Sequence, residues 1–246
     1  IDHKFNAIEI SGNVHSLLDL SRRDRQYIID TKQRYDLRLS YHFPTETSPC
    51  SHDAERRQRD LLELTKTIKV GSELGFEVIV VHPGMVDVAG VKPEEVPNTK
   101  RLEAFAHISN FMQTVAPVAE EKGILLCLEN LHYIPGYLIQ QHSDLVEIVD
   151  AVDSKAVCIT LDVGHAWGSG GIHEALVSFG RRIRHVHLHD CSGPQNGGKL
   201  GQHQEIGFGL IDYGQLTELV SDNDRIAVLE VFAREDNESA ILRSRE

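Results

Sequence analysis

Six residues able to bind a metal ion each close a short apolar run in this sequence. They are His42 in Ser-Tyr-His-Phe-Pro, His82 in Val-Val-His-Pro-Gly and Glu129 in Cys-Leu-Glu-Asn. Further on come Asp162 in Thr-Leu-Asp-Val-Gly-His, His187 in Val-His-Leu-His-Asp and Glu230 in Val-Leu-Glu-Val. One His or Glu at the end of an apolar run is an ordinary structural or solvated residue. Six in series are a different matter, because burying three acids together without a cation costs several kcal/mol per charge. A divalent metal removes that cost and suits a mixed imidazole and carboxylate set. The chemistry implied is that of a bound divalent cation.

The elements that must position these residues are short strands alternating with longer segments of helical period. The spacing predicts strands at Phe5–Ile10, Leu37–Phe43, Glu77–His82, Ile124–Glu129, Val157–Asp162, Arg184–His189 and Arg225–Val231. Between them Leu61, Leu64 and Ile68 share one helical face, as do Leu102, Phe105, Phe111 and Met112, and Ser21-Arg-Arg-Asp24 reads as a helix-starting capping box. Nearly continuous apolar strands alternating with helices imply a parallel sheet with helices outside, and seven repeats point to a TIM-type (β/α) barrel of the α/β class. Residues two apart on a strand share a face, so Val78, Val80 and His82 point one way, as do Leu125, Cys127 and Glu129. The expectation is an apolar barrel interior capped at the C-terminal mouth by one polar ligand per strand, where barrel enzymes keep their chemistry. Seven strands are one short of eight; the reading is that a first strand and helix precede the chain or are lost from it, leaving Ile1–Lys4 as the tail of that helix. Residues 1–246 read as one domain, with Ser192–Gly201 as an active-site loop and a last helix at Ser239–Glu246.

Composition narrows the functions. The 246 residues, 41% hydrophobic, suffice for one large core, and no apolar run is long enough for a transmembrane helix. A net charge of −12 disfavours a nucleic-acid partner. No dinucleotide-binding or Walker-type glycine motif is present. The N-terminus lacks a signal-peptide pattern, and Cys127 and Cys158 fall in apolar runs as reduced, buried thiols, so the expected location is the cytoplasm. The glycosylation triplet Asn237-Glu-Ser239 carries no weight without a secretory signal. Of the 14 His, His185 and His189 flank His187 on one strand face and suit packing or ligand orientation. His15, His52, His107, His132, His142 and His173 read as surface residues; Asp190 is a ligand partner or a turn cap, and Trp167 a pocket wall or a packing residue.

Taken in order, His-Pro-Gly, Leu-Glu-Asn, Asp-x-x-His, His-Leu-x-Asp and His-x-x-Ile-Gly-x-Gly resemble the superfamily that joins xylose isomerase-like sugar isomerases and epimerases to endonuclease IV. The resemblance runs from Phe5 to Glu230 and implies a metal site shared by Glu129, Asp162, His187 and Glu230. It also implies a second site from His42, His82 and a bridging Glu129, as in endonuclease IV-like members. His165 and His203 match two ligands of a third ion, but Gly201 stands where the third ligand should be an acid, which speaks against a three-metal phosphodiesterase. The cofactor expected is one or two divalent ions (Zn, Mn, Mg or Co). The leading reading is a sugar or sugar-phosphate isomerase or epimerase, with Glu129 and Glu230 as the proton-transferring pair and His165 orienting a substrate hydroxyl. The alternative is a dinuclear hydrolase, and a third is a metal- or sugar-binding protein without catalysis. The expected partner is a small carbohydrate, and an unpaired barrel edge favours self-association into a homo-oligomer.

Overall fold

The computed structural model describes residues 5–88, 90–132, 136–193, 201–222, 224–232 and 236–245. Seven strands form one sheet: β1 (Ala7–Ser11), β2 (Arg38–His42), β3 (Val78–Val81), β4 (Leu125–Glu129), β5 (Val157–Asp162), β6 (Ile183–Leu188) and β7 (Ile226–Leu229). They pair in sequence order, all parallel, into the nearly closed barrel of an α/β TIM fold. β1 and β7 lie side by side without joining the hydrogen-bonded ladder. Beneath them the Arg38 guanidinium donates to the Arg225 carbonyl (2.7 Å) while also holding Glu77 (2.7 and 2.9 Å), tying the bases of β2, β3 and β7. Ile1–Lys4, expected as the tail of a preceding helix, lie outside the described residues, as do residues 194–200 of the predicted Ser192–Gly201 loop.

The helices are α1 (Arg22–Tyr35), α2 (Ala54–Leu74), α3 (Asn98–Lys122), α4 (His142–Val152), α5 (Val163–Trp167), α6 (Ile172–Phe179), α7 (Thr217–Val220) and α8 (Asn237–Ser244). Ser21 and Asp24 form the capping box that starts α1: the Asp24 amide donates to Ser21 Oγ at 3.2 Å and the Ser21 amide returns the bond to Asp24 at 3.3 Å. Gly123 ends α3 with φ 68°, a conformation that costs a glycine nothing. The outward residues of the strands, among them Ile79, Val81, Leu126, Leu128, Ile159 and Leu161, pack beneath Leu64, Ile68, Ile108, Met112, Val115 and Ile148 of the helices. Each such side chain, wholly buried, contributes roughly 1.5–3 kcal/mol, so this outer layer carries most of the stability. Leu102 departs from the expected α3 face: it is 59% exposed, while Ala104 and Ile108 turn inward.

The inward faces follow the period-two rule with one correction. Val78, Val80, Leu125, Cys127, Cys158, Ile226 and Val228 form the apolar half of the interior. The other half is polar: Glu9 of β1, Ser40 of β2, Thr160 of β5 and His185 of β6 bond to one another inside the barrel. The fully apolar interior expected from the third and fourth strands therefore holds for only part of the wall.

Candidate metal centre

Register decides which side chains meet at the mouth. β5 and β6 pair with Asp162 opposite His187, and β6 and β7 with His187 opposite Val228, two residues before Glu230. β4 ends on Glu129, next to Thr160. Glu129, Asp162, His187 and Glu230 thereby bring four ligand atoms within 4.8 Å of one another. The His187 Nδ1 lies 3.5 Å from Glu129 Oε1, 3.8 Å from Asp162 Oδ2 and 3.3 Å from Glu230 Oε2. His187 and Asp162 are wholly buried, and Glu129 nearly so.

His42 and His82 approach Glu129 from the other side, each with Nε2 3.1 Å from Oε2. His42, Glu129 and His187 form a second group of convergent donors. His165 turns Nδ1 toward Glu129 Oε1 (3.3 Å), Asp162 Oδ1 (3.6 Å) and the Asn130 carbonyl (3.0 Å). All six strand-end residues named from sequence therefore meet at one mouth, together with His165. His203 stands slightly apart: its Nδ1 contacts the Glu230 carbonyl at 3.1 Å and lies 3.8 Å from Glu230 Oε2. Its ring centroid sits 6.3 Å from that of His165, 4.3 Å from His189 and 4.6 Å from Phe232.

Residues behind the cluster fix its geometry. Asn130 donates to the Asp162 carbonyl (2.9 Å) and accepts from the Asp162 amide (2.8 Å), locking the end of β4 to the end of β5. Asp162 Oδ1 accepts the His165 amide at 2.7 Å, capping α5 and turning His165 back over the acid. His189 places Nε2 3.1 Å from both Asp162 oxygens, and its Nδ1 accepts the His203 amide at 2.9 Å. Gly164 leaves room for that ring, since a Cβ there would collide with His189. Asp190 takes four backbone N–H groups, from Cys191, Gly207, Gly209 and Ile211, at 2.8–3.1 Å. It is a loop anchor, not a ligand partner. Trp167 donates to the Gly193 carbonyl at 3.1 Å and packs on the core.

Two expectations change. His142 is buried against Phe179, with ring centroids 5.2 Å apart, and is not a surface residue. His132 lines the mouth with its ring 5.1 Å from that of His165. Glu9 was missed altogether. It lines the same cleft, of about 420 Å³, and its Oε1 lies 3.1 Å from His187 Nε2. Only the inward parity it shares with Ala7 and Ser11 could have signalled it.

Charge and burial oppose each other throughout the site. Burial disfavours the Glu9 and Glu129 carboxylates, yet surrounding imidazoles win, holding Glu9 at about 2 and Glu129 well below its ordinary range. His42 and His165 are pushed up to about 9 against the cost of burial, by Glu129 for the first and by Asp162 and Glu129 for the second. His187 is raised well above its usual value by Glu230, Glu9 and Glu129, again despite burial. Burial, with Glu129 and Asp162 nearby, lifts Glu230 to about 7. Protons on imidazoles thus stand where a cation would neutralise the acids. His187 Nδ1 and Glu230 Oε2 are buried without a hydrogen-bond partner among the described residues. Two inward-facing orphan atoms within a carboxylate cluster fit a bound divalent ion.

Comparison with known proteins bears on the family and the fold. The family model described as Xylose isomerase-like TIM barrel matches residues 2–246. An uncharacterized protein of Methanocaldococcus jannaschii is 31% identical over 226 residues, covering 90% of this chain and 72% of its own length. A probable endonuclease 4 of Mesomycoplasma hyopneumoniae is 26% identical over 190 residues; the match covers 74% of this chain but only 63% of that protein, less than two thirds of it. Among solved structures, a D-tagatose 3-epimerase-like protein superposes with a TM-score of 0.81 at 27% identity, covering 99% of this chain and 87% of that one.

Proposed function

Because the chain belongs to the xylose isomerase-like TIM-barrel family, we propose that it is a divalent-metal-dependent isomerase or epimerase of a sugar or sugar phosphate, with residues 1–246 as one catalytic domain. The observation that carries this is the four-donor cluster of Glu129, Asp162, His187 and Glu230, with two of its atoms, 3.3 Å apart, buried and without a hydrogen bond among the described residues. These four residues would hold the ion, and when bound it supplies Lewis-acid polarisation of a carbonyl and its neighbouring hydroxyl. Glu129 and Glu230 are the pair placed to take and return a proton on opposite sides of the reacting carbon. His165, fixed by the Asn130 carbonyl and the two acids, orients a substrate hydroxyl. A mouth of about 420 Å³ has room for a monosaccharide, and the likeness to the epimerase-like structure supports that substrate class. Four buried, unpaired cysteines suit a reducing compartment, in line with a cytoplasmic enzyme. Among the described residues no helix is long and apolar enough to cross a membrane.

One observation favours a second reading. His42, His82 and the free side of Glu129 complete a ligand set that a one-ion isomerase does not need. A dinuclear hydrolase related to endonuclease IV would use it to activate a water between two ions. Against the three-ion form of that enzyme stands Gly201, which supplies no carboxylate where the third ligand should be an acid. The net charge of −12 opposes a DNA substrate. Metal content and a sugar panel run in deuterated water separate the two. The isomerase binds one ion, incorporates solvent deuterium beside the carbonyl of its substrate, and tolerates His82→Ala. No exchange on any aldose or ketose, together with two ions and cleavage of an aryl phosphodiester, would establish the hydrolase instead.

A further inference from the structure

We propose that Glu9 is the positioning residue of the metal centre: its carboxylate holds the Nε2–H of His187 and so commits the Nδ1 lone pair of that ring to the Glu129–Asp162–Glu230 cluster. The inference rests on reading that cluster as a cation site. Glu9 lies on β1, separated from β6 around the wall by β7, and its side chain is 9% exposed. A carboxylate only accepts, so in the 3.1 Å contact with Glu9 Oε1 the proton belongs to His187 Nε2. The ring then has one tautomer with a free lone pair, and that lone pair faces the acids at 3.3–3.8 Å. A partner on the far nitrogen fixes the tautomer and the rotation of a liganding imidazole and raises its basicity.

The polar half of the interior carries the same polarity further. Ser40 Oγ lies 2.9 Å from Glu9 Oε2 and donates its single proton there. The Ser40 oxygen is then free to accept from His185 Nε2 at 3.1 Å, which leaves His185 Nδ1 to accept from the Thr160 hydroxyl at 3.5 Å. One carboxylate therefore sets the direction of every bond from Thr160 to His187, across strands β1, β2, β5 and β6. The wiring also explains why Glu9, His185 and His187, which by proximity alone form a group of three donors, do not serve as an ion site of their own. Both oxygens of Glu9 are already accepting, and both facing nitrogens carry protons.

The test is Zn²⁺ affinity of the full chain, stripped with a chelator and titrated against a chromophoric competitor. Glu9→Ala should weaken binding by roughly 10–100-fold, the usual cost of removing such a partner. Glu9→Gln should stay within about fivefold of wild type, since its amide oxygen still accepts from His187. Ser40→Ala should lose less than Glu9→Ala, since Oε1 keeps its hold on the ring. A Glu9→Ala protein that binds Zn²⁺ as tightly as wild type, or that loses a whole ion from the stoichiometry, overturns the assignment. Should Glu9→Ala not fold, nitrogen-15 NMR of Zn²⁺-loaded wild type decides: a protonated Nε2 and a coordinated Nδ1 on His187 support the proposal, and the reverse tautomer overturns it. A wild-type chain with no affinity for Zn²⁺, Mn²⁺, Mg²⁺ or Co²⁺ would instead bring down the reading of the cluster as a cation site.

Discussion

Lowering the pH should weaken metal binding steeply, because protons and the cation compete for the same lone pairs. Without an ion, His187 keeps its Nδ1 proton well above the ordinary imidazole range, and Glu230 titrates at about 7. Binding through His187 must release one proton throughout neutral pH, which is one decade of affinity per pH unit. Below about pH 7 the proton on Glu230 must leave as well, and the slope approaches two. From pH 8 to pH 6 the His187 proton accounts for about two decades and the Glu230 proton for about one. The sum, about three decades, is roughly 4 kcal/mol at 1.36 kcal/mol per decade. Calorimetric titration with Mn²⁺ in two buffers of different ionisation enthalpy counts the protons directly. About one per ion is expected at pH 8 and close to two at pH 6. A second ion at His42 would add another proton, because His42 is itself lifted to about 9. Affinity that is flat between pH 6 and 8, with no proton released, would refute the assignment of His187 and Glu230 as ligands.

Glu230→Gln should abolish turnover and deuterium exchange while leaving the melting temperature within a few degrees of wild type, or above it, because a partly desolvated acid is removed; circular dichroism on the stripped protein checks this. Gly201→Asp should not create a third ion site. It forces a non-glycine residue to φ 55° against the Ser192 hydroxyl, and a loss of about 1–3 kcal/mol should lower the melting temperature by roughly 3–10 °C with unchanged metal content. Asn130→Ala leaves a buried amide and carbonyl of Asp162 without partners, so urea unfolding should show a loss of about 2–4 kcal/mol, and metal affinity should fall as Asp162 loosens.

Much of this site was legible in the sequence because a barrel turns strand position into spatial position. His42, Glu129 and Asp162 are the last residues of their strands, and His82 and Glu230 follow theirs directly, so the chain's own punctuation carried them to the mouth. The helix starts were legible for the same local reason, as with Ser21 and Asp24. What stayed hidden depends on contacts between distant segments. Glu9 sits mid-strand in Ala-Ile-Glu-Ile-Ser, an alternation that reads equally well as a solvent-facing polar residue. Ile8 is in fact the exposed one, at 39%, and Glu9 points inward. Asp190 follows the strand-end His187 closely enough to pass for a ligand partner, yet besides the neighbouring Cys191 amide it accepts three N–H groups from a loop beginning 17 residues later, at Gly207. Leu102 matched the helical period of Phe105 and Phe111, but period alone does not say where along α3 the barrel wall begins.

The two flanks of the sheet, β1 and β7, abut without a shared ladder. At the base the span is bridged by Arg38 reaching the carbonyl of Arg225. At the mouth it is bridged by the His187 imidazole, which contacts Glu9 on one flank and Glu230 just past the other. The circumference is therefore completed by side chains where the main chain stops. An ion held between Glu230 and His187 would act as a clasp on this seam, and the stiffness of the whole cylinder would then be tied to its occupancy.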